Sequence, residues 1–242
     1  MQFRHVLRLN RVLFEITLSF DSMKKKRFAS KYLAGFIGTF LWVYVLLVAP
    51  NTHADPGHLQ GYVMQIEMTP ATCSLDASKR KQRKCLEGYS LTVMGLVPET
   101  SNQDCKTATS ALLSPIQTSV VARLMPDENN RTQLWRSVGG CVPMNASQYF
   151  RTIVNFADRL KIPAELTGPI SKDVQKSTIR QQFMRLNPSL PANGIRFSCQ
   201  SARTKPMLTE VQVCYQVNGN YTQCASHVVS SCPDEFTIKG SY

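Results

Sequence analysis

The 242-residue chain is 43% hydrophobic and 18% charged, with 12 glycines, 13 prolines and eight cysteines. That composition excludes a disordered, collagen-like or low-complexity chain and suits one or two packed domains. The formal charge of +12 favours anionic partners, but it is unevenly spread.

Residues 1–54 hold eight Lys/Arg against Glu15 and Asp21. Met23 precedes the basic cluster Lys24, Lys25, Lys26 and Arg27; an apolar run from Leu33 to Val48 follows, then Pro50 and the small Ala54. This is the order of a Sec-type export signal, with Met23 as the true start and cleavage after Ala54. The competing reading is a retained anchor, since 16 apolar residues approach the lower end of a bilayer span; membrane association is expected only in that case. The mature domain, 55–242, keeps 20 basic and 14 acidic residues, a net charge of about +6, suited to RNA or a phosphate-bearing surface. All eight cysteines lie in it, and an even count behind an export signal reads as four disulfides in a periplasmic or secreted protein. No cysteine pair has C-x-x-C spacing, and His58 and His227 are the only histidines of this part, so neither a metal nor another cofactor is predicted.

In chain order, Tyr62, Met64, Ile66 and Met68 alternate within Gly61 to Thr69 and predict a strand with one apolar face. Between Cys73 and Cys85 a short loop, which a bridge between the two would close, carries Lys79, Arg80, Lys81, Arg83 and Lys84. It reads either as a solvated tip or as a phosphate-contacting patch. Ser90 to Val97 is a second strand. Ala108 to Met125 is helix-like, with Pro115 breaking or restarting it. Ser147 is placed to cap a helix in which Phe150, Ile153, Val154, Ala157 and Leu160 share a face. Thr178 to Leu186 is a further helix, burying Ile179, Phe183 and Leu186 and ending at Asn187-Pro188. Strands follow at Ile195 to Gln200 and Leu208 to Val217, the latter with Val211, Val213, Tyr215 and Val217 on one face. The sequence NGN at 218–220 is a hairpin signal. A three-residue loop would set Val217 against Tyr221 and Cys214 against Cys224, predicting that bridge; a two-residue loop would misalign them by one. The mixed order predicts an α+β domain.

Several segments together resemble the ribonuclease T-two family, most closely its bacterial ribonuclease I branch. Members open with a strand ending in an aromatic, proline and cysteine, matched by QIEMTPATC at 65–73. A strand carrying H-G-L-W-P corresponds to MGLVP at 94–98, and H-E-W-x-K-H-G-x-C to QLWRSVGGC at 133–141, followed by NASQYFRTIVNFADRL. FSCQ, LTEVQV and the closing FTIKGSY also look like the bacterial branch. The resemblance implies a central antiparallel sheet packed against helices. It also implies bridges Cys73–Cys85, Cys105–Cys141 and Cys199–Cys232, which leave Cys214–Cys224 for the hairpin.

The family cleaves RNA without metal. The ribose 2′-hydroxyl attacks the adjacent phosphorus to give a 2′,3′-cyclic phosphate, with two imidazoles moving protons and a carboxylate and a lysine beside them. Carried over by position, the first histidine falls on Met94, the second on Gln133, the glutamate on Leu134, the lysine on Ser137 and the last histidine on Val138. None of these transfers a proton near neutral pH. Gly95, Leu96, Pro98, Trp135, Gly139 and Cys141 remain as scaffold. The expectation is an exported, catalytically degenerate member whose RNA contacts would come from Lys79, Arg80, Lys81, Arg83, Lys84, Trp135 and Arg136. One alternative is a weak endoribonuclease using His58 or His227. The other is a protein-binding module in which Met94, Leu134 and Val138 form an apolar floor.

Overall fold

The computed structural model describes residues 58–202 and 205–241; the expected export signal, with Met23 and Ala54, lies outside the described residues. Strand β1 (Gly61–Met68) sits between β2 (Leu91–Glu99) and β5 (Met207–Gln216), antiparallel to both. A strand with neighbours on both sides has both faces available for packing. Tyr62, Met64, Ile66 and Met68 therefore enter the main core, while Val63 on the opposite face joins a second cluster with Cys214, Cys224 and Val228. On its other edge β5 pairs antiparallel with β4 (Ile195–Gln200). It also meets β6 (Glu235–Ile238) through one parallel pairing, Met207 with Thr237.

Among the described residues the sheet has six strands in the order β2-β1-β5-β6-β3, the last spanning Lys172–Gln175, with β4 attached to β5. It is antiparallel, as expected, except at the β5–β6 contact. Strand β3 escapes pattern reading because Val174 is its only apolar residue. It is held at the sheet margin by β6 and by Lys205, whose ammonium bonds both Asp173 (2.7 Å) and Glu235 (2.6 Å).

The Cys73–Cys85 segment is not the open loop expected from its charges. It folds into helical turns: α1 (Thr69–Leu75), a 3-10 turn over Ala77–Lys81 and α2 (Arg83–Leu86). Pro70 occupies the first turn of α1, and the Asp76 carboxylate accepts from the Ser78 N–H to start the 3-10 turn. Pro115 starts α3 (Pro115–Ala122), with Ser114 as its cap, while 108–114 of the expected helix-like stretch is not helical. Helix α4 (Glu128–Val138) follows. Helix α5 (Ala146–Arg159) is capped by Asn145 and not by Ser147. Asn145 and Gln148 form a reciprocal capping box, and the Ser147 hydroxyl instead donates to Gln117 Oε1 at 2.8 Å. In α6 (Lys176–Leu186), Ile179 and Phe183 are buried as expected, but Leu186 at its end is 44% exposed.

All four disulfides pair as expected: Cys73–Cys85, Cys105–Cys141, Cys199–Cys232 and Cys214–Cys224. The last forms by a different hairpin from the one read in the sequence. Tyr215 pairs with Tyr221, and the Gln216 N–H donates to the Asn220 carbonyl, so the turn spans residues 216–220. Gly219 there has φ +83°, a left-handed conformation suited to glycine. Val217 falls in the turn, half exposed at 48%, and does not face Tyr221. Cys214 is opposite Thr222, and the arm leaves the ladder after Tyr221, which lets Cys224 approach within 5.2 Å of Cys214 between Cα atoms.

Candidate functional site

The β1–β2 ladder shifts register at one point. Gln65 faces Gly95 and Ile66 faces Val93, so Met94 is the extra residue of a β-bulge. A bulge re-aims the side chain it carries, and Met94 is 39% exposed on a strand otherwise largely buried. Both sides of the bulge are anchored. Before it, the Val93 N–H donates to the Leu124 carbonyl at 2.9 Å. After it, the Tyr149 hydroxyl accepts from the Leu96 N–H at 3.3 Å and donates to the Leu96 carbonyl at 2.9 Å. This occupies the outer backbone edge of β2. Burial pushes the Tyr149 phenol well above its usual value, so it stays protonated and able to make both bonds.

Helix α4 lies against this bulge. A Cβ at Gly95 would come within 2.7 Å of Leu134 Cδ1, so glycine permits the close approach of helix and strand. Gln133 and Ser137, one turn apart on α4, are exposed; Leu134 is half-buried over Gly95; Val138 is buried in the core. Met94 precedes Gly95, on which Leu134 of α4 packs, and lines one hollow with Asn130 of the same helix. Burial removes Val138 from any apolar floor, leaving Met94 and Leu134.

Two expected RNA contacts are placed elsewhere. Trp135 is 2% exposed, with its ring 5.6 Å from Tyr149 and its indole N–H donating to the Thr109 carbonyl and hydroxyl. It is a core residue. Lys84 is 3% exposed, and its ammonium bonds Glu67 Oε2 in a buried ion pair, which an unpaired buried carboxylate requires. Arg80, Lys81 and Arg83 are exposed, with Arg83 paired to Glu87 at 2.6 Å; Lys79 is half-buried, 4.0 Å from Glu67 Oε1. Arg136 is exposed on α4 beside a cavity of about 300 Å³ that it shares with Glu128, Arg131 and Thr132.

The buried Glu67–Lys84 pair was not singled out from the sequence as part of the site. Glu67 faces Thr92 on β2, whose hydroxyl donates to it at 3.4 Å, and Glu210 on β5. Its signal was a charged residue within a strand of apolar alternation. Lys84, Thr92, Val93 and Met94 line one small hollow of about 20 Å³, closed by Met125, Pro126, Asp127 and Asn130. That volume suits about one water and not a base. Methionine, glutamine, leucine, serine and valine, at 94, 133, 134, 137 and 138, do not titrate near neutrality; the charged side chains that line the hollow with Met94 are Lys84 and Asp127. Among the described residues no group of three or more His, Cys, Asp or Glu side chains is placed to hold a metal ion.

No protein-family model matches the chain, and no curated protein matches it in sequence. Solved structures do match its fold. Ribonuclease MC1 from bitter gourd seeds superposes with a TM-score of 0.58 at 17% identity, over 73% of this chain and 98% of that one. The Nicotiana alata self-incompatibility-associated SF11-RNase gives 0.58 at 12% identity, over 73% and 95%. An RNase-related protein from Calystegia sepium gives 0.55 at 16% identity, over 75% and 97%. The chain has the fold shared by these proteins. Variants of ribonuclease MC1 were solved with 5′-UMP and with 5′-GMP. Among the described residues no helix is long and apolar enough to cross a membrane.

Proposed function

We propose that this is an exported protein of the ribonuclease T-two family, of the bacterial ribonuclease I type, that binds single-stranded RNA without cleaving it. The observation that carries the reading is the anchored bulge. The position where the family resemblance calls for a histidine is held in place from both sides, yet it presents Met94, and the matching positions on α4 are Gln133, Leu134, Ser137 and Val138. Loss of one member of an acid–base pair costs about 10²–10⁴-fold, and here every member is replaced. Exposed Arg80, Lys81 and Arg83 lie on the segment whose Lys84 lines the hollow behind Met94, which supports phosphate contact beside the bulge. Export is supported by the basic-then-apolar order ahead of Ala54 and by four disulfides, which suit an oxidising compartment.

The test is RNA cleavage and RNA binding measured together on purified 55–242, against a strict nuclease-free control. The expected outcome is no cleavage and a salt-dependent affinity, with log K falling by roughly 0.7 per phosphate contacted for each unit of log salt. Lys81→Glu with Arg83→Glu should weaken binding and flatten that slope. Cleavage that is lost on His58→Ala or His227→Ala would refute the reading in favour of the endoribonuclease. No RNA affinity at low salt would favour a protein-binding module instead, a reading supported by exposed Met94 next to Gly95, on which Leu134 packs.

A further inference from the structure

Five residues beyond Met94 on the same strand, roughly 16 Å at about 3.3 Å per residue, Glu99 borders a separate and larger cavity of about 980 Å³. This volume is at the upper end of the range for small-molecule sites. The cavity lies over the start of β1 and the 216–220 turn, away from the bulge and α4. Among the described residues that line it, Glu99 is the sole Asp, Glu, Lys or Arg. In a chain with an excess of basic residues, the one such side chain bordering this cavity is therefore an acidic one.

The chemistry around that carboxylate is specific. Its side chain is only 15% exposed, and its ion-pair partner is His227, whose Nε2 lies 3.2 Å from Glu99 Oε1 while the imidazole itself is 72% exposed. A pair with one partner mostly in water is weak and easily exchanged. Four amide side chains, those of Gln60, Gln216, Asn218 and Gln223, line the cavity and carry carbonyl acceptors, that of Asn218 already accepting from the Asn220 N–H at 2.9 Å. Leu59 and exposed Val217 give apolar surface, over the buried Cys214–Cys224 bridge. One carboxylate with several neutral acceptors and an apolar wall matches a primary ammonium, which has three donors, one charge and a hydrocarbon body.

We propose that this cavity is a binding site for a small organic ammonium ion, anchored on Glu99 and gated by His227. The ligand's ammonium replaces the imidazole at Glu99 Oε1 and fills its remaining donors with amide carbonyls. Acid pH opposes binding in two ways. Protonated His227 competes for Glu99, and His58, which also lines the cavity, adds a positive charge. The other titratable groups around it are the Tyr62 and Tyr215 phenols, both raised by burial and therefore neutral throughout. An adjoining cavity, which shares Tyr62, Val217 and Asn218, holds Asp158 and Arg159.

Benzylamine, charged across this range, is the probe, with benzyl alcohol as its neutral counterpart; both are titrated by NMR chemical-shift perturbation on the full mature protein. Benzylamine should shift resonances of Glu99, Gln216 and Gln223, and benzyl alcohol should bind at least about tenfold more weakly, as should benzylamine with Glu99→Gln. Affinity should fall about three- to fivefold from pH 8 to pH 5, a window spanning imidazole titration. The double variant His58→Gln/His227→Gln, with Glu99 intact, should flatten that dependence. Equal binding of the alcohol, equal binding to Glu99→Gln, tighter binding at pH 5, or no binding at tens of millimolar would each overturn the proposal. Binding of inorganic phosphate in this cavity at pH 5 in preference to the amine would also overturn it and mark an anion site instead.

Discussion

Replacing Lys84 by methionine keeps the aliphatic stem and deletes the charge that neutralises Glu67. Both side chains are 4% exposed, so Glu67 cannot recover its lost partner from solvent. Thr92 supplies only a long hydrogen bond at 3.4 Å, and Glu210, its cross-strand neighbour, adds a second carboxylate nearby. Breaking a buried pair from one side costs about 3–5 kcal/mol. For a domain of this size that corresponds to a fall in Tm of roughly 6–20 °C. Lys79, 4.0 Å from Glu67 Oε1, is able to swing inward and recover part of the loss. The full cost is therefore expected for Lys84→Met in a Lys79→Ala background. Removing both charges, Glu67→Leu with Lys84→Met, should return stability to within about 1 kcal/mol of the parent or above it, since an apolar replacement avoids desolvating two ions. Urea unfolding followed by circular dichroism, with the disulfides intact, measures all of these variants. A loss below about 1 kcal/mol for Lys84→Met/Lys79→Ala, or a double charge deletion as costly as the single one, would refute the argument that Lys84 is a structural counter-ion. RNA affinity should be unchanged by Lys84→Met wherever the variant remains folded.

Tyr149→Phe should cost about 1–3 kcal/mol, because it leaves both the N–H and the carbonyl of Leu96 without their buried partner; faster hydrogen exchange at the Leu96 amide would locate the effect. Burial raises the Glu210 carboxyl above the usual carboxylate range, so the folded state binds that proton more tightly than the unfolded chain. Its contribution to stability is present below the ordinary value near 4.3 and is lost as pH rises through the raised value. Glu210→Gln should therefore have the higher Tm at pH 7, with the difference closing by pH 4. The amide can still accept from Gln212, which reaches Glu210 at 2.9 Å. A variant less stable than the parent at pH 7 would contradict this.

The long apolar patterns were legible because burial and periodicity coincide in them. Tyr62, Met64, Ile66 and Met68 enter the core as their alternation requires, and so do Phe150 and Ile153 on α5. Short polar elements were not legible. β3 is a strand because β6 and Lys205 hold it there, and nothing in Lys172–Gln175 itself demands extension. α4 gathers its apolar residues, Leu134, Trp135 and Val138, at one end, so it reads as a motif before it reads as a helix. At the candidate site the fate of individual side chains was not legible. Arg80 and Lys84 share a charge class in the sequence, and only the position of Glu67 makes one a surface group and the other a core group. Trp135 likewise reads as an aromatic contact until Tyr149 and Thr109 are seen around it.

The bulge at Met94 has a bearing on how such a scaffold changes over time. A residue inside a ladder is constrained by its cross-strand partner and by the face it must fill, whereas residue 94 faces neither a partner nor the core. Leu124 and Tyr149 hold the backbone on either side whatever the bulge presents. The position behaves as a socket: its occupant can be exchanged between a titratable and an inert side chain with little effect on folding. The freedom is confined to this one position: Leu134 packs on Gly95 and Val138 lies in the core, so exchange at those two sites does bear on packing.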